Sequence, residues 1–427
     1  MQKLNVTIER YGKRILVGAI TGTDPLATSF SYFPEYLSSP EAAPISLSLP
    51  LQEEAFSAAA TKNYFEGLLP EGFTRRSVAQ WMRVDENDYL SILLGLGKEC
   101  LGALQILAEG EEAEPNHYEA LSYAQVSALA REGAGKSAEL VAKSHLSLTG
   151  ASGKVGLYYE PKSGVWYLPK GSAPSTHIVK QSHVRLDQIV TNEQLALRTA
   201  RYAGIRVPDS FIIETGGTED DKVLLATERF DRYFVPDCEI ADGLPVPYRL
   251  HQEDFAQALG IAGADKYERP GGGYLKRAFE LLRRYSANPV SDQMMLWDII
   301  IFDFFVGNTD NHIKNLSLLY GKDLKTIRLA PAYDILSTSI YHESSREFAF
   351  SIGGIYSIDE MSRESFLKAA SEIGLGPRMA IQRYDLIGSR FIKALHRAAD
   401  ELTEKGFTGA RALEERILST GGCRRLR

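Results

Sequence analysis

The chain of 427 residues is 44% hydrophobic and 24% charged, the balance of an ordinary soluble globular protein with room for two or three domains. A net charge of −7 excludes a protein that binds nucleic acid through its overall electrostatics. Three widely spaced cysteines (Cys100, Cys238 and Cys423) build neither a disulfide framework nor a zinc spacing, which points to the reducing cytoplasm.

The opening MQKLNVTIERYGKR has no basic-then-apolar signal pattern. Strand-like alternation runs through LNVTIERYGKRILVGAI around a turn at Tyr11-Gly12-Lys13, and ISLSLPL (45–51) alternates again. Helical periodicity follows in TKNYFEGLLPEGFTRRSVAQWM and DENDYLSILLGLG. Residues 1–110 therefore read as a small α+β subdomain with no cluster of chemistry-bearing side chains. The acidic, apolar-poor stretch 108–120 reads as a linker, and 111–139 as that linker with a short helix.

Residues 140–235 read as a strand-rich unit: SHLSLT (144–149), VGLYYE (155–160), WYLPK, THIVK (176–180), FIIE and KVLLATERF. They surround one amphipathic helix, 191–205, with Thr191 and Gln194 as a capping box and Gly204 near its end. Residues 236–427 read as helical apart from one hairpin. His251-Gln252-Glu253-Asp254 looks like the acidic first turn of a helix and carries no assigned chemistry. MMLWDIIIFDFFV (294–306) contains Asp298 and Asp303 and is too short to span ~30 Å of hydrocarbon, so it is a buried core helix and no membrane contact is expected. The tail CRRLR (423–427) reads as a solvated terminus.

That core helix runs into GNTDNHIKN (307–315), where Asp310 precedes Asn315 by the spacing of a kinase catalytic loop. Ordinary turn chemistry also produces such a pair. The order is what adds weight: LSLLY (316–320) and TIRLA (326–330) form a hairpin about Gly321-Lys322-Asp323 and deliver Asp334 after Tyr333. A loop with Asp and Asn, a hairpin and a further Asp is how a kinase assembles its Mg²⁺ carboxylate beside the catalytic base. His312 and Lys314 lie inside the same loop, and Lys314 is suited to neutralise a transferred phosphoryl group.

Three further segments fit a nucleotide site. Gly150-Ala151-Ser152-Gly153-Lys154-Val155-Gly156 has a glycine at every third position, letting backbone amides approach phosphates, although a flexible hairpin turn has the same composition. It is not a P-loop. Lys180 ends an apolar strand, where a lysine reaches phosphates or simply snorkels to solvent, and Glu193 is its candidate partner. Glu228-Arg229-Phe230 lies where the chain leaves the strand-rich unit, at the position of an adenine-binding hinge or of a charged strand end.

Together these segments resemble the HipA family of serine/threonine kinases, the toxins of bacterial HipBA-type modules. The likeness covers almost the whole chain: FPEYL, PISLSLPL, NYFEGLLPEG, SLTGASGK, STHIVK, NEQLALRTARYAGIRVPDS, ATERFDR, RLHQEDFAQALG, KYERPGGG, GNTDNHIKNLSLL and LAPAYDIL. It implies an α+β, two-lobed protein-kinase-like fold with an extra N-terminal α+β subdomain and a mainly helical C-terminal lobe. It implies Asp310 as catalytic base, Asn315 and Asp334 as Mg²⁺ ligands, and Lys180 on the ATP phosphates. Thr149, Gly150, Ala151, Ser152, Gly153 and Lys154 become the loop over those phosphates, Glu228, Arg229 and Phe230 the hinge, and His312, Lys314 and Tyr333 the pocket wall.

Ser147 falls on the serine that such kinases autophosphorylate, where a phosphate of about −1.5 to −2 charge would repel ATP. Family members often carry a Gln-Glu or similar polar pair where this chain has Ser152-Gly153, which loosens the loop and makes Ser152 a second candidate acceptor. The implied partners are a small HipB-like helix-turn-helix antitoxin, operator DNA only through it, and a protein substrate, with aminoacyl-tRNA synthetases as the implied class. Two rivals stay open: a small-molecule phosphotransferase, and a non-catalytic co-repressor that binds the antitoxin.

Overall fold

A four-stranded antiparallel sheet opens the chain, in the order Thr28–Tyr32, Lys13–Gly22, Gln2–Arg10, Leu104–Ala108. Its first hairpin turns through Tyr11 and Gly12, both left-handed, which matches the natural twist of the strands. The computed structural model describes residues 2–22, 24, 27–144, 153–182 and 186–426. A six-stranded antiparallel sheet follows, in the order Asn116–Ala120, Val165–Gly171, Lys154–Glu160, His177–Gln181, Val223–Glu228, Ser210–Glu214. The remainder is mainly helical, built on Tyr274–Tyr285, Pro289–Val306, Arg363–Glu372, Pro377–Glu404 and Gly409–Thr420. The expected α+β architecture with two lobes and an N-terminal addition is the one observed.

Strand alternation ties the parts together. Along Val223–Glu228, Leu224 and Ala226 enter a core shared with the N-terminal sheet and its helices. Val223 and Leu225 point the other way, into a core with the helix Ile189–Ala203 and the C-terminal helices. Each fully buried valine or leucine here contributes roughly 1.5–3 kcal/mol, so both faces of the sheet are anchored. Asn192 fixes the helix Ile189–Ala203 across the cleft: its amide donates to Ser337 O (2.9 Å) and its Oδ1 accepts from Ser337 N (3.0 Å).

Several local expectations change. Residues 116–120 are an edge strand rather than linker; only Tyr118 of that strand is buried, and the exposed charges on either side of it are those of an edge strand. ISLSLPL forms no strand, only a bridge between Ser46 and Leu49, because side chains take its backbone groups: Tyr32 Oη donates to Leu49 O (2.6 Å), Tyr64 Oη to Ile45 O (2.9 Å), and Leu47 N to Glu253 (3.1 Å). The helix expected from 191 starts at Ile189 after Gln188, so Thr191 and Gln194 lie buried inside it and form no capping box, while Gly204 ends it as expected.

Gln252–Asp254 is a strand, and Asp254 then caps the helix Phe255–Leu259. Glu347–Ile352 and Ile355–Ser357 add a second hairpin to the C-terminal part. Ser144 ends the helix Ala134–Ser144 instead of opening a strand, and 145–149 lie outside the described residues. The C-terminal tail docks: Gly422–Leu426 is a short helix with Cys423 buried and Arg424 paired to Asp359 at 2.6 Å.

Candidate active site

The helix Pro289–Val306 starts with an Asn288 cap and a proline in its first turn, and ends on Gly307 at φ +79. A Cβ there would collide with Ser339, so only glycine lets the chain leave the helix in this direction. The next residues are tied back to the helix and to Thr338. Asn308 Nδ2 donates to Asp303 Oδ1 at 2.9 Å, Asn311 Nδ2 donates to Asp303 Oδ2, and Thr309 N donates to Thr338 Oγ1 at 2.7 Å. Burial, opposed by these two amides, pushes the Asp303 carboxyl up to about 8. Between buried Thr309 and Asn311, Asp310 is left opening onto the walls of a cleft rather than packed in the core.

The Asp310 carboxylate faces a cleft of about 1780 Å³. Its Oδ1 accepts a bond from Tyr267 Oη at 2.6 Å. Its pKa is raised, first by burial in the cleft and then by Asp334, with Tyr267 and Lys266 opposing. Asn315 Nδ2 donates to Asp310 O at 3.1 Å, which leaves the Asn315 Oδ1 for a cation. His312 packs edge-on against Tyr267 at 5.4 Å, and burial lowers its pKa to about 3, so the imidazole is neutral.

From the loop the chain runs into the antiparallel pair Ser317–Tyr320 and Ile327–Leu329, then to Asp334 at φ +57. There Lys180 joins both Asp334 and Glu193, the latter at 2.6 Å. Burial disfavours the Asp334 charge, but Lys180 and Lys154 outweigh it and hold the carboxyl well below the usual range. Glu193 is pushed up by burial against the pull of Lys180. Lys154 and Lys180 are directly paired across neighbouring strands, so both ammonium groups face the cleft side. Burial lowers Lys154 to about 8, with Asp334 opposing and Lys180 adding to the fall.

Where the strand-rich unit ends, the Phe230 ring lies 5.8 Å from Tyr333 at an interplanar angle of 34°, and Glu228 is exposed on the cleft wall. The Arg229 side chain does not serve the cleft. Its guanidinium is spent on Asp231, Glu99, Ser175 Oγ and Cys100 O, with no side-chain exposure. Arg232 joins Glu99 at 2.6 Å, and Arg249 joins Glu9 at 2.7 Å. Buried ion pairs thus bind residues 229–232 and Arg249 to the N-terminal subdomain.

That subdomain also enters the cleft. Glu71, just before the helix Gly72–Met82, accepts from Lys314 Nζ and, at 2.7 Å, from Lys266 Nζ. Burial would raise its pKa, but the two lysines outweigh this and bring it to about 2.

Two family models match this chain: the HipA-like C-terminal domain over residues 146–396 and the HipA N-terminal domain over residues 9–107. The chain belongs to the HipA family. A relative from Sinorhizobium fredii, Y4mE, provisionally assigned to the kinases by its name, is 34% identical over 93% of this chain and 92% of its own length. The serine/threonine-protein kinase toxin HipA of Shewanella oneidensis is 26% identical over 82% of this chain and 80% of its own. In a solved structure of the Shewanella oneidensis HipA, HipB and operator DNA complex, one chain superposes with a TM-score of 0.80 at 20% identity, covering 100% of this chain and 97% of that one.

Of the HipA-type site residues expected here, Asp310, His312, Lys314, Asn315, Tyr333, Asp334, Gly153, Lys154, Lys180, Glu228 and Phe230 line this one cleft. Arg229 touches it but directs its side chain elsewhere. Ser147, Thr149, Gly150, Ala151 and Ser152 lie outside the described residues. Glu71, Lys266, Tyr267 and Asp303 went unassigned in the sequence; Glu71 and Tyr267 stand in NYFEGLLPEG and KYERPGGG, segments that carried the resemblance without a role. Among the described residues, no helix is long and apolar enough to cross a membrane.

Proposed function

We propose that this HipA-family chain is an ATP- and Mg²⁺-dependent protein serine/threonine kinase acting as the growth-arresting toxin of a type II toxin–antitoxin module. The observation that carries this reading is the meeting of Asp310, Asn315, Asp334 and Lys180 in one cleft, with Lys180 and Asp334 joined across 154 residues. Asp310 takes the proton of the acceptor hydroxyl; its raised pKa makes it a better base, and Tyr267 holds one carboxylate oxygen while the other stays available. Hard oxygen donors, Asn315 Oδ1 and the ionised Asp334, suit Mg²⁺, which when bound neutralises phosphate charge. Lys154 and Lys180 meet the ATP phosphates and Lys314 the transferred group, while Phe230 and Tyr333 offer an aromatic wall for the base.

The HipB and operator DNA of the Shewanella oneidensis complex support a HipB-like helix-turn-helix antitoxin as partner here, with operator DNA reached through it. A chain net charge of −7 agrees with indirect DNA contact. The substrate is a protein, with aminoacyl-tRNA synthetases as the class the resemblance implies. Phosphorylation of Ser147, or of Ser152, adds negative charge beside the phosphate site and switches the enzyme off.

The test is label transfer from γ-labelled ATP, together with growth after induction, for the wild type and Asp310→Asn. Loss of the base should cut transfer on the order of 10²–10⁴-fold and relieve growth arrest. Equal arrest by both chains refutes the kinase reading of toxicity, and label found only on small molecules refutes the protein substrate.

A further inference from the structure

Glu71 belongs to the N-terminal subdomain, 243 residues before Lys314, yet it pairs with both Lys314 of the 307–315 loop and Lys266. The segment that leads to Glu71 is tied to the catalytic side. Gln257 Nε2 donates to Tyr64 O at 3.0 Å, Asn63 Nδ2 donates to Gly260 O at 3.0 Å, and Leu68, Leu69 and Pro70 are buried. Although Glu71 is the residue that opens the helix Gly72–Met82, its carboxylate makes no capping bond to that helix. It turns to Lys314 and Lys266 instead.

Those lysines bracket the chemistry. Lys314 is four residues after Asp310, and only 5% of its side chain is exposed. Lys266 precedes Tyr267, the residue that donates to Asp310, and its carbonyl accepts from Ile313 N at 3.5 Å. An ammonium on a four-carbon stem has many rotamers, and a two-oxygen carboxylate shared between two of them removes that freedom.

We propose that Glu71 is a positioning residue for phosphoryl transfer, which makes the N-terminal subdomain part of the active site. This rests on the kinase reading above. Glu71 does not touch the reacting atoms; it keeps Lys314 and Lys266 aimed where negative charge develops, so that no reorganisation is needed during the step. The bound nucleotide gains no contact from Glu71, and its removal takes one negative charge out of the cleft. Its loss therefore slows the step without weakening ATP binding.

The experiment measures ADP release from Mg·ATP, which reports transfer to any acceptor including water, as a function of ATP concentration. Glu71→Gln should lower the maximal rate on the order of 10- to 100-fold while the half-saturating ATP concentration stays level or falls. In a chain already carrying Lys314→Met and Lys266→Met, adding Glu71→Gln should change the rate by less than about twofold, because its route of action is gone. If Glu71→Gln lowers the melting temperature, Lys266→Met, which removes the more exposed partner, must give the same split. An unchanged maximal rate, a rise in half-saturating ATP at constant rate, or losses that multiply in the triple variant overturns the inference. A wild type that releases no ADP, or Asp310→Asn as fast as wild type, refutes the kinase reading instead.

Discussion

Replacing Asp303 by asparagine should remove a pH-dependent weakness from the base of the 307–315 loop. The carboxyl is 1% exposed, and the bonds it accepts come from the neutral amides of Asn308 and Asn311. Burial, opposed by those amides, raises it from 3.8 to about 8. Between those two values the folded chain keeps a proton that the unfolded chain has released. The stability tied to that proton is fully present below the unfolded pKa and is lost as pH rises towards the folded one. One proton corresponds to about 1.36 kcal/mol per pH unit, so the wild type should lose about 2.7 kcal/mol between pH 5 and pH 7 through this group. The Asp303→Asn chain should not. Urea unfolding at pH 5, 6 and 7 measures the difference directly. Glu253 and Asp254, raised by burial to about 7 and about 6, add slopes of the same sign to both chains and cancel in the comparison. Stability curves that run parallel for the two chains would falsify the assignment of the titration to Asp303.

Lys180→Met leaves the Asp334 and Glu193 carboxylates without the lysine they share. ATP affinity measured by calorimetry should fall at least about 100-fold; unchanged affinity counts against Lys180 as a phosphate contact. Arg229→Met strands Glu99 and Asp231 between the hinge and the N-terminal subdomain, with Arg232 as a partial substitute. It should lower stability by about 3–5 kcal/mol in thermal or urea unfolding, and Arg229→Lys should not restore it because lysine lacks the planar five-donor fork. Wild-type stability in Arg229→Lys would show that charge alone holds Glu99 and Asp231 together.

Much of the site is legible in one dimension because its parts are close in sequence. The five-residue step from Asp310 to Asn315, the hairpin that follows it and the arrival of Asp334 are all local, and the structure realises each of them. Lys180 and Glu193 are close enough in sequence, on consecutive elements, for their pairing to be expected, and they meet at 2.6 Å. Reading failed where one residue's neighbours come from elsewhere. Thr191 and Gln194 have the spacing of a capping box, but the helix begins earlier and buries them. Residues 116–120 look like linker because an edge strand needs only Tyr118 inside.

By itself, the sequence determined the α+β class, the local order of the site from Asp310 to Asp334 and which family the chain resembles. Those depend on spacing, periodicity and turn chemistry, which act over a few residues. The tertiary structure alone decided that the N-terminal subdomain shares a core with the six-stranded sheet, that Glu99 anchors Arg229 and Arg232, and that Glu71 holds Lys314 and Lys266. A carboxylate and an ammonium carry no mark of their partner in sequence. Burial makes the pairing compulsory, since a lone charge withdrawn from water is too costly to leave unmatched, and only the folded chain says which charges are buried side by side.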